Sequence, residues 1–232
     1  MNEKRSIEDI LTLVEQNFEF LHIGKFLSYY IKEHNLSTEA KNLLLNLGQN
    51  GTFLLSGDLI RESFSKSFIN SNKSNILGYF VTWNAFRGIA MAMHEGISKN
   101  EAFKGFLNRI LKEQYTHFEY IIAFIRNVLS HNIDNEIRLI KDDFEGRKNK
   151  FNKEKVGKSG IAVFKFIYSR DFPEKTPLPE NYGFDIELQF CSLKEGDKFI
   201  DIISEWHLFM IMELCYNVIG YYRRNPVSIT MK

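Results

Sequence analysis

Three strongly polar side chains, Arg126, Asn127 and His131, stand within six positions of the otherwise apolar stretch IIAFIRNVLSHN, residues 121–132. An imidazole changes charge near neutral pH, so it can take or give a proton in a reaction. A guanidinium stays charged and forks onto phosphate oxygens. An amide between them can hold either the ring or a phosphate in place. A proton acceptor beside a phosphate-binding cation suits phosphoryl chemistry carried by side chains alone.

The element that must position these groups is a helix. On a helical wheel of about 100° per residue, Phe118, Ile121, Ile122, Ile125, Val128 and Leu129 form one apolar stripe, which should face a core. His117, Tyr120, Phe124, Asn127 and His131 form a second stripe on the opposite side. Arg126 falls between the two and is long enough to reach round to the second. A helix with two occupied faces has two neighbours, and the second is either another helix of the chain or the same helix of a second subunit. Asn127 and His131 lie one turn apart, so the three polar groups can share one pocket. His131 is close to a helix end, where the macrodipole favours a protonated ring.

Other chemistries find little support. VGKSG at 156–160 lacks the first glycine of a phosphate loop, since Asn152 stands there, and it precedes a strand rather than following one. The six histidines show no i,i+4 pair and no cysteine pair nearby, so neither a metal nor another cofactor is expected. KDDFE, residues 141–145, reads as a solvated helix end rather than a two-metal cluster. No GxSxG elbow occurs. Cys191 and Cys215 are the only cysteines and read as two buried, reduced thiols.

The chain has 232 residues, of which 44% are hydrophobic and 21 are Phe, enough for one substantial aromatic-packed domain. Its formal net charge of +1 argues against a basic nucleic-acid coat, so any basic binding surface must be local. Nothing resembles a secretory core or a membrane span, and a cytoplasmic chain is expected.

Ser6 with Asp9 looks like a capping box opening a first helix, in which Gly24 is a candidate interruption. A second helix is predicted from Ser37 through Leu43, Leu44 and Leu47, with SGDLIRESF either continuing it or forming a separate turn. A third covers about 74–96, and Ser98 with Glu101 suggests the cap of the next. Ile133, Ile137, Ile140 and Phe144 extend a helical period past His131. RKNKFNKEKVGK then reads as a basic loop, GIAVFKFIYS and GFDIELQFC as strands, and the segment from Lys198 to Pro226 as one long closing helix. The expectation is a mainly all-α fold: one helical domain over residues 1–232, with the basic loop and a β-hairpin, residues 147–197, inserted before the C-terminal helix.

Arg126-Asn127-Val128-Leu129-Ser130-His131 resembles the R-x-x-x-x-H motif of HEPN domains, with the polar residue that is frequent after the arginine. The resemblance implies a four- or five-helix bundle with the motif on a late central helix. It implies a metal-independent endoribonuclease, often a toxin or phage-defence effector. Its composite site would form where two motif helices meet in a homodimer. In such a site the ribose 2′-hydroxyl attacks the adjacent phosphorus and leaves a 2′,3′-cyclic phosphate. His131 would be the base, Arg126 the cation on the phosphorane, and Asn127 their support. RNA would be the substrate, guided by Lys148, Lys150, Lys153 and Lys155, and an antitoxin or other partner protein would accompany the homodimer. Ile133 stands where one common variant carries tyrosine, so the resemblance does not extend to the subgroup paired with a nucleotidyltransferase antitoxin. A non-catalytic HEPN-like dimer that binds nucleotides, RNA or protein is the alternative from a different class.

Overall fold

The computed structural model describes residues 6–34, 41–46, 52–67, 79–131, 136–146, 160–174 and 178–225. The chain is mostly helical, with two small antiparallel sheets, and it divides into two compact units. One comprises Met1–Phe18 with Ala85–Lys232, the other Glu19–Asn84. Among the described residues no helix is long and apolar enough to cross a membrane.

Helix α1, Ile7–His34, opens on the capping box: the Ser6 hydroxyl accepts the Asp9 N–H, and the Ser6 N–H donates back to the Asp9 carboxylate at 3.2 Å. It runs unbroken through Gly24, a correction to the expected interruption; a helix-interior glycine costs only about 1 kcal/mol against alanine, which neighbouring turns absorb.

In the unit Glu19–Asn84, the predicted second helix is corrected. Leu43–Asn46 (β1) and Thr52–Leu55 (β2) pair antiparallel, with Leu43 opposite Leu55 and Asn46 opposite Thr52. Ser37 and Leu47 lie outside the described residues. SGDLIRESF belongs to a separate helix, α2, Gly57–Ser67, whose first N–H donates to Asn42 Oδ1 at 2.8 Å.

Helix α3, Val81–Lys99, continues to the end of the predicted third helix and beyond. Ser98 lies inside it, and the next helix, α4, Glu101–Leu111, is capped by Asn100 instead, whose side chain accepts the Phe103 N–H at 2.8 Å. A 3-10 turn, Lys112–Gln114, leads into α5, Tyr115–His131. Lys112 turns the corner at φ 49°, the one positive φ among the described non-glycine residues. Ile133 lies outside the described residues; at 136–140 the predicted helical period fails, because this segment is non-helical, with Ile137 and Leu139 buried and Arg138 exposed in alternation. They are held to the turn at 196–199, where the Leu139 N–H donates to Asp197 O and the Phe199 N–H to Ile137 O, each at 2.9 Å. A helical turn at residues 141–146 (α6) follows.

The hairpin comes where it is expected. Ile161–Ile167 (β3) pairs antiparallel with Gly183–Gln189 (β4), from Ile161 opposite Gln189 to Ile167 opposite Gly183. Phe164, Phe166, Phe184, Ile186 and Leu188 point inward, while Lys165, Asp185 and Glu187 point out, as period-two alternation requires. A short helix, α7, Tyr168–Asp171, leaves β3. The single closing helix is corrected to two: a turn at Phe199–Ile202 (α8), a break, and α9, Glu205–Arg224. Ser204 causes the break by capping α9, its hydroxyl accepting the His207 N–H at 3.3 Å. Cys215 is buried, but Cys191 is exposed, because it falls on the outward phase of the alternation with Asp185, Glu187 and Gln189.

Candidate functional site

Helix α5 carries the motif because its core face is all large and apolar. Phe118, Ile121, Ile122, Ile125, Val128 and Leu129 are each fully buried, which fixes the rotation of the helix about its axis. The second stripe is occupied too, from within the chain, by the turn after β4 and the short helix α8. Tyr120 and Phe124 meet the ring of Phe190 edge-on, at 6.5 Å and 5.8 Å, and Phe124 also packs on Phe199 at 5.9 Å. His117 faces the hairpin, its Nδ1 accepting the Val163 N–H at 3.3 Å. Gln114 accepts the Lys165 N–H at 3.0 Å and Asp171 the Ile167 N–H at 2.8 Å, so side chains satisfy alternate donors along the outer edge of β3. Burial pushes the His117 pKa below its ordinary value, in keeping with an acceptor role.

At the end of α5, His131 Nδ1 lies 2.8 Å from Asp143 Oδ1. Asp143 is fully buried, and His131 is 40% exposed. The other carboxylate oxygen, Oδ2, accepts the Ile140 N–H at 2.8 Å. A carboxylate oxygen accepts here from an Nδ1 that carries a proton, and Nε2 is then the ring nitrogen that points away from the acid. A buried acid thus holds the imidazole in one orientation. The sequence reading of KDDFE as a solvated face is therefore corrected at one position: Asp142 is exposed, Asp143 is not. No local signal separates the two, because the burial of Asp143 comes from a distant part of the chain.

Asn127 joins the arrangement through the same residue. Its Nδ2 donates to the Asp143 carbonyl at 3.3 Å, and its Oδ1 accepts from Arg126 Nη1 at 3.0 Å. Ser130, inside the motif, donates to the Arg126 carbonyl at 2.6 Å, a local bond across one turn. The order is Arg126–Asn127–Asp143–His131, so Asp143 supplies the connection that the three residues were expected to make directly. Arg126, half-buried, lines a cleft between α1 and α3; His131 does not line it. Lys148, Lys150, Lys153 and Lys155 lie outside the described residues. Among the described residues no group of three or more His, Cys, Asp or Glu could hold a metal ion.

Neither the family models, nor the curated proteins, nor the solved structures compared with this chain give a match.

Proposed function

We propose that the chain is an endoribonuclease similar to HEPN enzymes. His131 is the base that takes the 2′-hydroxyl proton and Arg126 the cation that stabilises the phosphorane. The observation that supports this reading is the hydrogen bond from His131 Nδ1 to the buried carboxylate of Asp143, which turns Nε2 outward as a base on a half-exposed ring. Asn127 supports the arginine from one side and the Asp143 backbone from the other. The side chains themselves supply both the proton acceptor and the charge, so the reaction is written without a metal. In this reading RNA is the substrate, Lys148, Lys150, Lys153 and Lys155 guide its phosphates, and two copies of the chain join their motif helices in one composite site. Such an enzyme acts in the cytoplasm as a toxin or phage-defence effector, with an antitoxin or other partner protein to restrain it.

The test is incubation of purified protein with a mixed RNA pool in EDTA, beside His131→Ala. Cleavage that resists EDTA, ends in 2′,3′-cyclic phosphates and disappears in the variant supports the enzyme. Intact RNA with retained binding identifies a non-catalytic module instead.

A further inference from the structure

Arg126 is a half-buried cation with no acid of its own. Its Nη1 donates to Asn127 Oδ1 at 3.0 Å, and among the described residues Nε and Nη2 meet no acceptor and no carboxylate pairs with the guanidinium. A charge drawn partly out of water attracts an anion more strongly than one in bulk solvent. The donors left over keep the fork that matches two oxygens of one head group.

The side chain lines a cleft of ≈ 470 Å³, within the usual range for a small-molecule site, and every residue of its lining belongs to the unit Met1–Phe18 with Ala85–Lys232. The α1–α3 wall is tightly made. A Cβ at Gly88 would lie 2.2 Å from Asn17 Oδ1, and Asn17 Nδ2 donates to the Leu13 carbonyl at 2.7 Å, which pins the amide there. Glycine at position 88 lets the two helices approach with an amide between them.

The rest of the lining selects the kind of anion. Leu13, Met91 and Ala92 are apolar. Glu95 and Lys99 form an ion pair at 2.7 Å, so their charges cancel. An imidazole is ordinarily neutral at about pH 8, and with His94 so counted Arg126 leaves the lining one net positive charge. A single carboxylate on an apolar body balances it. A phosphate monoester carries nearly two negative charges and brings the second against Glu95.

We propose that this cleft is a binding site for a small organic carboxylate, its head forked onto Arg126 and its apolar body along Leu13, Met91 and Ala92. The site goes beyond the ribonuclease reading and shares only Arg126 with it. His131 does not line the cleft, and the role is one of binding rather than of reaction.

The test is calorimetric titration without RNA at about pH 8, with three probes built on one phenylethyl body: hydrocinnamate, its neutral amide and phenethyl phosphate. Hydrocinnamate should bind with a Kd of about 1 mM or tighter. The amide should bind about 10-fold more weakly or worse, and the phosphate no more tightly than the carboxylate. Arg126→Ala, and Arg126→Gln with its longer neutral stem, should each weaken hydrocinnamate by about 10-fold or more. Glu95→Gln removes the repelling charge and frees Lys99 from its pair, so the phosphate should become the tighter ligand. The site is overturned if the unaltered protein binds hydrocinnamate and its amide alike or binds neither. It is also overturned if either Arg126 variant, with an unchanged melting temperature, binds hydrocinnamate as the unaltered protein does. Phosphate as the tighter ligand of the unaltered protein, or an order that Glu95→Gln leaves unchanged, overturns the carboxylate class. Because no RNA is cut in these titrations, their failure leaves the ribonuclease reading standing.

Discussion

The imidazole of His131 and the carboxylate of Asp143, twelve residues apart, meet at 2.8 Å with the acid wholly buried and the ring partly open. One bond thus does two things: it gives a buried charge a partner, and it sets which ring nitrogen faces outward. In the proposed reaction stability and chemistry are coupled at this point, so variants here must be read on both axes.

Asp143→Asn separates them. The amide keeps the shape and its oxygen can still accept the Ile140 N–H, but its NH2 then donates to His131 Nδ1 and forces the proton onto Nε2. RNA cleavage should fall by about 10²-fold or more with a small change in melting temperature. Asp143→Ala, which strips the Ile140 N–H of its acceptor, should cost about 1–3 kcal/mol in denaturant titration. Equal cleavage by the asparagine variant and the unaltered protein would remove the tautomer argument.

Arg126 is held less firmly, by one side-chain bond to Asn127. Arg126→Ala should therefore change stability by about 1 kcal/mol or less while reducing cleavage by about 10²-fold or more. Arg126→Lys should recover little, because an ammonium cannot fork onto two phosphate oxygens. A large drop in melting temperature, with RNA untouched by the unaltered protein, would return the arginine to architecture.

Acid should weaken the clasp between α5 and the hairpin. The His117 pKa is lowered from 6.5 by burial, and its Nδ1 accepts the Val163 N–H, so the folded state favours the neutral ring. The unfolded chain then binds more protons over this range. The contribution of His117 is fully present above pH 6.5 and is lost as pH falls through the lower folded value. Melting temperatures from pH 7.5 down to 5 should fall less steeply for His117→Gln than for the unaltered protein. Parallel curves would show that the ring carries no pH-linked stability.

Lys112 sits at φ 49° and ψ −128°, where a side chain is strained and glycine is not. Lys112→Gly should raise stability by about 1 kcal/mol, the relief of strain less the added freedom of the unfolded chain. Thermal unfolding measures it, and a destabilised variant would contradict the strain.

A composite site needs a dimer. Light scattering at micromolar concentration should give twice the mass of the chain, and mixing Arg126→Ala with His131→Ala should restore part of the cleavage that each has lost. A monomer that cuts RNA would place the whole reaction within one chain.

The parts legible in the sequence are those with a strong local period. The buried face of α5 follows the helical repeat, and β4 alternates Phe184, Ile186 and Leu188 with charged partners, so local pattern and tertiary burial agree. Leucines 43–45 misled because leucine favours helices; the Asn50-Gly51 pair between two apolar runs was the hairpin signal that outweighs them. The break before α9 was also open to reading, since Ser204 followed by Glu205 is a helix start. Asp143 was not legible in this way. Nothing local distinguishes it from Asp142, and its burial follows from the strip at 136–140 pairing with residues 196–199, a contact of long separation.

The first helix has a consequence for the order in which the protein forms. Arg223 near the end of α9 reaches Thr12 Oγ1 at 2.8 Å and the carboxylates of Glu8 and Glu15, and Phe18 stacks on Tyr216 at 4.6 Å. The residues of α1 thus find these partners across a separation of 208 positions for Glu15 and Arg223. Closing so long a loop costs entropy that local helix formation does not repay. Until α9 docks, Phe18 lacks the ring of Tyr216, and Glu8 and Glu15 lack the Arg223 guanidinium. A chain shortened before α9 would therefore leave this side of α1 without its aromatic and charged partners.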